Sequence, residues 1–160
     1  MTSATQATNK TFDEIAIGDS SQYVREVTER EVQLFAAVSG DHNPVHLDAS
    51  YAASTQFGEQ IAHGMLTGAF VSAAIATELP GPGSIYLGQN LQFRAPVLLG
   101  DTITVNLEVT GKHDSRPWVT IACTVTNQHD KVVAKGEASV MAPTVKETVT
   151  LVAPPPIHFG

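Results

Sequence analysis

An α+β domain, with an antiparallel sheet wrapped around one buried helix, is the fold class that the sequence predicts. Residues 64–78 are small and apolar on nearly every side, and a helix of that kind is normally covered by other structure. From residue 85 onwards apolar and polar residues alternate, which is the period of half-buried strands. The helical patterns come first and the strands follow, an order typical of α+β domains.

Length and composition fit one globular domain. The chain has 160 residues, of which 42% are hydrophobic and 16% are charged, which is enough for a real core. The formal net charge of -7 argues against nucleic acid as a partner. The only cysteine, Cys123, cannot form an internal disulfide, so we expect a reducing, cytoplasmic setting.

The polar residues 1–11 show no secretory signal, and we expect them to be disordered. One domain should cover residues 12–143, and a tail should follow over 144–160. A short apolar run before the prolines 154–156 makes this tail either an edge element or a disordered end. No uncharged stretch reaches the roughly 20 strongly apolar residues that span a bilayer, so no membrane contact is expected.

The first elements are predicted to be a strand over 20–27 and then a helix. Thr28 and Glu31 fit a capping box, in which two side chains satisfy the free amides at a helix start. The helix should run to about Ser39, with Gly40 as its C-terminal cap. The residues that follow Gly40 should therefore lie on a loop fixed by a rigid frame.

A turn and two further helices are predicted next. Asn43-Pro44 is a turn signal, and Asp48 can cap a short helix over 49–54. The long apolar helix begins at Gly64, and the Pro-Gly-Pro-Gly run over 80–83 ends it.

The second half of the chain is predicted to be a series of antiparallel strands. They cover about 85–93, 103–109, 119–125 and 132–140, with an irregularity near Gly88 that indicates a bulge. The short joins between the later strands are typical of hairpins, which favours antiparallel pairing.

Two short segments carry candidate chemistry. Asp41, His42 and His46 place one carboxylate and two imidazoles on a turn between helices, a combination suited to acid/base work. Gly64 opens the apolar helix, where a missing side chain allows close approach to the backbone and the helix dipole favours negative charge. We interpret the first segment as an acid/base site and the second as an oxyanion site that faces it.

Three motifs carry a resemblance to a known family: Asp-x-Asn-Pro-x-His over 41–46, His-Gly-Met-Leu over 63–66, and Gly-Ser-Ile-Tyr-Leu-Gly-Gln over 83–89. Together they resemble the MaoC-like, (R)-specific enoyl-CoA hydratases, above all the short single-domain hydratases of polyhydroxyalkanoate synthesis. The resemblance covers roughly residues 18–141. It implies the hot-dog fold, an antiparallel sheet around a long central helix, and a homodimer with sheets joined edge to edge.

The resemblance also implies a hydro-lyase that converts trans-2-enoyl-CoA to (R)-3-hydroxyacyl-CoA without a cofactor. Asp41 and His46 would hold one water between them, with Asp41 as the base and His46 as the group that supplies a proton to C2. This assignment within the pair could be reversed, because coupled groups share their titrations. The backbone N–H of Gly64 would bind the thioester oxygen.

Each site residue also has a structural interpretation. Asp41 could be an ordinary turn residue and His46 a hydrogen-bonded structural histidine, and only their joint spacing favours catalysis. Asn43 and Pro44 are predicted to support the turn, and His63 to fix the Gly64 loop by a hydrogen bond.

The residues that would contact the acyl chain and the phosphates of the substrate are predicted on weaker grounds. Ser72 and Ile75 follow Gly64 by two and three helical turns and match acyl-pocket positions in relatives, with core packing as the alternative. Candidate phosphate contacts are three basic residues, Arg94, Lys112 and Arg116.

A metal site is not expected. Asp41, His42, His46 and His63 could supply zinc ligands, but their spacing matches no established metal motif.

Other functions stay open. A (3R)-hydroxyacyl-carrier-protein dehydratase would use the same chemistry in reverse, although an acidic chain is a poor match for an acidic carrier protein and favours free CoA. Thioester hydrolysis on the same fold and a noncatalytic acyl-CoA-binding subunit are further alternatives.

Overall fold

The computed structural model describes residues 4–158, which form seven strands and four helices. In chain order the elements are β1 (Gln6–Thr8), β2 (Ser20–Glu26), α1 (Glu29–Ser39), α2 (Pro44–Leu47), α3 (Ala49–Ala53), α4 (Gly64–Thr77), β3 (Ile85–Phe93), β4 (Thr102–Lys112), β5 (Trp118–Thr126), β6 (Val132–Met141) and β7 (Thr148–Thr150). Five strands form one antiparallel sheet in the order β2-β4-β5-β6-β3. Both the predicted α+β class and a sheet of at least five strands are therefore confirmed.

The core lies between α4 and the inner face of this sheet. Alternate residues of β4 and β5 are buried, as their period predicts, and α4 packs against β2, β3 and β4. Fully burying a Val, Leu or Ile side chain stabilises the fold by about 1.5–3 kcal/mol relative to exposure. The predicted helix start at Gly64 is confirmed. Only one face of α4 is buried, through Leu66, Phe70, Val71, Ala74 and Ile75, whereas Met65 is 62% exposed and Ala69 and Ala76 are also exposed. The expectation that other structure covers this helix on nearly every side is therefore wrong for the face that carries Met65 within residues 4–158.

The pairing of β3 with β6 contains the predicted irregularity. Its register shifts between Tyr86 and Gly88, so the bulge is confirmed. Further along the same pair, the strands approach closely at Gly136. A Cβ atom built there would meet the backbone of Asn90 and Leu91 inside van der Waals distance.

The N-terminal segment differs from the prediction. The expected disorder of residues 1–11 is wrong for residues 6–8, because β1 pairs antiparallel with β7. Asn9 is buried beside this pair, and its side-chain amide donates to the carbonyl oxygens of Val145 (2.9 Å) and Pro82 (3.1 Å). The tail is thus an edge element over β7, while residues 1–3 and 159–160 lie outside the described part of the chain.

Across residues 4–158, no helix combines the length and the apolar character that crossing a membrane requires.

Candidate active site

Helix α1 positions the loop that carries the candidate acid/base residues. Thr28 and Glu31 form the predicted capping box at its start, and Gly40 closes its end with a left-handed φ of 77°. The Gly40 N–H donates to the carbonyl oxygen of Ala36 at 2.9 Å. The chain direction after α1 is therefore fixed at Gly40, and Asp41 is the first residue beyond this cap.

Local hydrogen bonds then shape the Asp41 loop. The Asp41 N–H donates to Ser39 Oγ at 3.2 Å, and the Asn43 N–H donates to Asp41 Oδ1 at 3.2 Å. The Asn43 side chain accepts from the Val45 N–H, which caps α2, and Pro44 is the first residue of that helix. Asn43 and Pro44 thus occupy the turn-forming places that were expected of them.

His46 presents one ring nitrogen to Asp41. Its Nδ1 lies 2.8 Å from the carbonyl oxygen of Ile61, and a carbonyl only accepts, so this nitrogen carries the proton. Nε2 is then the nitrogen that faces Asp41 Oδ2, at a distance of 3.9 Å. That gap is too long for a direct hydrogen bond and short enough for one water molecule to contact both atoms. His46 is 9% exposed, whereas the Asp41 side chain is 50% exposed.

His63 joins this pair from the start of α4. Its ring stacks on the His46 ring with centroids 3.8 Å apart and an interplanar angle of 27°. Its Nε2 lies 3.0 Å from the carbonyl oxygen of Asp41, to which it donates. His63 was expected to fix the Gly64 loop by a hydrogen bond. It does make a side-chain hydrogen bond, to the Asp41 carbonyl oxygen, and its ring also contacts His46.

Gly64 follows His63 and opens α4. Within residues 4–158 its N–H has no hydrogen-bond acceptor, as is usual for the first amides of a helix. A Cβ at this position would lie 3.1 Å from the Phe93 ring. Gly64 and Phe93 line a cavity of about 400 Å³, together with Phe57, Ile61, Ala62, Thr67, Arg94, Ala95, Pro96, Val97 and Val133.

A second cavity of about 560 Å³ also has Phe93 on its wall. Its mostly apolar wall consists of Phe35, Met65, Gly68, Ala69, Ser72, Tyr86, Gln89, Leu91 and Phe93. Ser72 is therefore on a cavity wall, and its role in an acyl pocket stays a prediction. Ile75 is not on this wall, because it is 1% exposed and belongs to the core, which favours the alternative of core packing.

Tyr86 and Gln89 are wall residues to which the sequence assigned no role. The Tyr86 hydroxyl donates to Gln89 Oε1, and burial raises the pKa of Tyr86 to about 12. The hydroxyl is therefore a neutral donor at ordinary pH. The motif over 83–89 contains both residues, but a strand pattern interrupted by a bulge does not show which of its side chains share a face.

Of the three basic residues considered for phosphate binding, Arg94 alone lines the cavity that contains Gly64. The Lys112 ammonium donates to the carbonyl oxygens of Phe12 (2.7 Å) and Ile15 (2.6 Å). Arg116 lies over the Trp118 ring at 4.5 Å. Both side chains are engaged away from the site.

Asp41, His46 and His63 could also be considered as metal ligands, because one ligand atom from each lies within 4.8 Å of the others. His42 does not belong to this group. His46 Nδ1 and His63 Nε2 already donate to carbonyl oxygens, so a metal at His63 Nε2 would have to displace the Asp41 contact. The expectation that no metal binds stays a prediction.

Comparison with known proteins places this site in a family. The MaoC like domain matches residues 15–133. The chain belongs to the MaoC-like family. A Rhodospirillum rubrum (R)-specific enoyl-CoA hydratase is 46% identical over 134 residues, which are 82% of this chain and 91% of that protein. An Aeromonas caviae (R)-specific enoyl-CoA hydratase is 40% identical, over 81% of this chain and 96% of its own.

A solved structure supports the assignment over a larger part of the chain. The unliganded R-hydratase PhaJ1 from Pseudomonas aeruginosa superposes with a TM-score of 0.94 and 55% identity, covering 98% of this MaoC-like chain and all of its own. The hot-dog fold implied by the resemblance is thereby confirmed. The expected enzyme class, a hydro-lyase, is confirmed at the level of these relatives.

Proposed function

We propose that this MaoC-like protein catalyses the (R)-specific hydration of trans-2-enoyl-CoA to (R)-3-hydroxyacyl-CoA, and the reverse dehydration. The observation that carries the proposal is the 3.9 Å gap between Asp41 Oδ2 and His46 Nε2. The ring of His63 stacks on His46, and His63 directly precedes Gly64, whose N–H has no acceptor within residues 4–158. A water-holding acid/base pair and an oxyanion donor are the groups that this reaction requires.

One water held between Asp41 and His46 accounts for both proton movements. Its oxygen bonds to C3 while one of its protons leaves, and C2 gains a proton, so no net proton is taken up or released. In one assignment His46 carries a proton on both ring nitrogens: the Asp41 carboxylate accepts the water proton, and Nε2 gives its proton to C2, which leaves the Nδ1 proton on the Ile61 carbonyl contact. In the other the two roles are exchanged, and coupled groups of this kind do not titrate independently.

The Gly64 N–H would stabilise the negative charge that builds on the thioester oxygen during attack. The dipole of α4 adds to this effect at its N-terminus. In other enzymes one such backbone or side-chain donor contributes about 10²–10³ in kcat. The lack of a side chain lets the thioester reach the amide beside Phe93.

The two cavities share Phe93 as a lining residue, and we assign a different part of the substrate to each. We place the acyl chain in the apolar cavity of about 560 Å³ with Ser72 on its wall. The pantetheine arm of CoA would then occupy the cavity of about 400 Å³, where Arg94 is the basic residue that could bind a CoA phosphate.

A second candidate function is the dehydration of a 3-hydroxyacyl group bound to a carrier protein. An Arabidopsis thaliana mitochondrial 3-hydroxyacyl-[acyl-carrier-protein] dehydratase is 28% identical over 82% of this chain. The hydratases named for CoA substrates are more similar, at 40% and 46% identity. The net charge of -7 also disfavours an acidic carrier protein.

The active form is proposed to be a homodimer. β3 is an edge strand of the five-stranded sheet, and its large apolar residues Ile85, Leu87 and Phe93 are about half exposed. Pairing of two β3 edges around a twofold axis would cover them and satisfy the free backbone groups of that edge. Light scattering during size-exclusion chromatography should give twice the chain mass, and a monomer that is fully active would contradict this.

Crotonyl-CoA tests the catalytic proposal. Hydration removes the enoyl-thioester absorbance without releasing a thiol, and chiral chromatography of the hydrolysed product should show the (R)-3-hydroxy acid. Thiol release would indicate hydrolysis, and binding without loss of absorbance would indicate a noncatalytic subunit. The same assay with crotonyl-carrier protein distinguishes the two substrate classes by their kcat/KM.

A further inference from the structure

His63 contacts both acid/base residues through different parts of one ring. Its Nε2 donates to the Asp41 carbonyl oxygen at 3.0 Å, and its face stacks on His46 at 3.8 Å. The bond to Asp41 joins residues 22 positions apart. The other hydrogen bonds of Asp41 within residues 4–158 are local: its N–H donates to Ser39 Oγ at the end of α1, and its Oδ1 accepts from the Asn43 N–H.

Packing alone does not explain a histidine at position 63. The side chain is 2% exposed, and its Nδ1 is buried without a hydrogen-bond partner among the described residues. A buried polar nitrogen without a partner lowers stability, and a phenyl ring would fill a similar space between Phe35 and His46 without one.

Helix capping does not explain it either. His63 is the N-cap of α4, but its side chain makes no cap hydrogen bond. Ser, Thr, Asp and Asn are the residues that stabilise this position. What distinguishes His63 from better caps and better core residues is the combination of a flat ring and an N–H donor at its far end.

We infer that His63 is a positioning residue for the Asp41–His46 pair, an inference that rests on the proposed hydration. Its Nε2–H holds the exposed Asp41 loop from outside that loop, and its ring fixes the plane of His46. Together these contacts set the gap in which the water is held. Misplacing a reacting group by about 1 Å can cost on the order of 10²-fold in rate, so the gap must be held closely.

Two substitutions separate the two contacts. His63→Phe keeps a ring against His46 and removes the donor to Asp41. His63→Gln removes the ring and keeps an N–H at a similar reach. His129→Phe, on an exposed turn outside the site, is the matched control for the same chemical change.

In His63→Phe we expect an unchanged or higher Tm with crotonyl-CoA kcat lowered about 10-fold or more and KM within about twofold of wild type. His63→Gln should recover part of this kcat, because it restores the donor. His129→Phe should leave kcat and KM unchanged. A stable enzyme with a lower kcat is not what a merely structural histidine would give.

Three results would overturn the inference. They are a wild-type kcat in His63→Phe, a Tm that falls together with kcat, and a raised KM at unchanged kcat. An inactive wild-type protein would instead refute the proposed function. In that case the backbone amide NMR signals of residues 41–43 still test whether His63 positions the Asp41 loop. They should shift in His63→Phe and not in His129→Phe, and unshifted signals would refute the positioning role.

Discussion

Replacing the two acid/base residues singly and together tests whether they share one water. Asp41→Asn keeps an oxygen that can accept from the Asn43 N–H, as Oδ1 does now at 3.2 Å, and the side chain is half exposed. The fold should therefore survive with a change in stability of about 0.5 kcal/mol or less. The carboxylate facing His46 is lost, and with it one half of the water site.

The expected loss of rate follows from the role of the pair. A positioned acid/base group contributes about 10²–10⁴-fold, which corresponds to about 2.7–5.5 kcal/mol of transition-state stabilisation. His46→Gln should lose a similar factor in kcat. It should also lower stability by about 1–3 kcal/mol, because the buried Ile61 carbonyl contact and the ring stacking are lost.

The variant that combines Asp41→Asn with His46→Gln tests whether the two residues act through one water. At 3.9 Å, Asp41 Oδ2 and His46 Nε2 can contact the same water, so removing either group disables that water. The double variant should then be little slower than the slower single variant. Independent groups would instead multiply their losses to about 10⁴–10⁸-fold.

Initial rates at saturating crotonyl-CoA measure these effects, with circular dichroism and Tm as checks of folding. Asp13→Asn, an exposed carboxylate outside the site, is the matched control and should keep wild-type turnover. Multiplicative losses in the double variant would refute the shared water. Near-normal turnover in Asp41→Asn would show that this loop is structural only.

Three further predictions concern stability and metal. Gly136→Ala should destabilise the fold by about 1–3 kcal/mol, because the added Cβ would clash with the Asn90 backbone. Gly111→Ala is the control, since its Cβ would make only ordinary van der Waals contacts. Chemical denaturation measures the free energy of unfolding of both variants. The hydrogen bond from Lys146, followed by those from Thr11, lowers the pKa of the Glu14 carboxyl from 4.5 to about 2. The contribution of this carboxylate to folding stability is therefore present above about pH 4.5 and is lost as the pH falls towards 2. The difference in Tm between wild type and Glu14→Gln should therefore shrink over that window, and a constant difference would contradict the ion pair. Chelator treatment should leave hydration unchanged, and loss of activity that zinc restores would establish a metal site.

Local patterns predicted most of the fold. Alternation over β4 and β5, the capping box at Thr28 and Glu31, and the apolar stretch after Gly64 each depend on neighbours within a few residues. The pairing of β1 with β7 could not be found in this way. Its partners are more than 130 residues apart, and short polar segments have no period that indicates a strand.

In the candidate acyl pocket, the helical period did not predict which residues of α4 line the cavity. Counting turns from Gly64 predicted how far along α4 Ser72 and Ile75 lie, but not which side of the helix each faces. The cavity takes positions 65, 68, 69 and 72, which follow one helical face, while Ile75 lies four residues after the buried Val71 and shares the core face. A helix that is apolar all round gives no sign of which face meets the sheet.

The start of α4 connects both halves of the proposed reaction. His63 contacts the proposed acid/base pair, and the N–H of the next residue, Gly64, has no acceptor within residues 4–158 and is the proposed donor to the thioester oxygen. Phe93 packs over Gly64 closely enough that a single added methyl group would press on its ring, and Phe93 lines both cavities. In the proposed reaction, the acyl chain, the thioester oxygen and the water between Asp41 and His46 would therefore all depend on residues 63 and 64 for their positions. A rigid helix end is a better place for such a junction than a loop, because the packed body of α4 holds it in place.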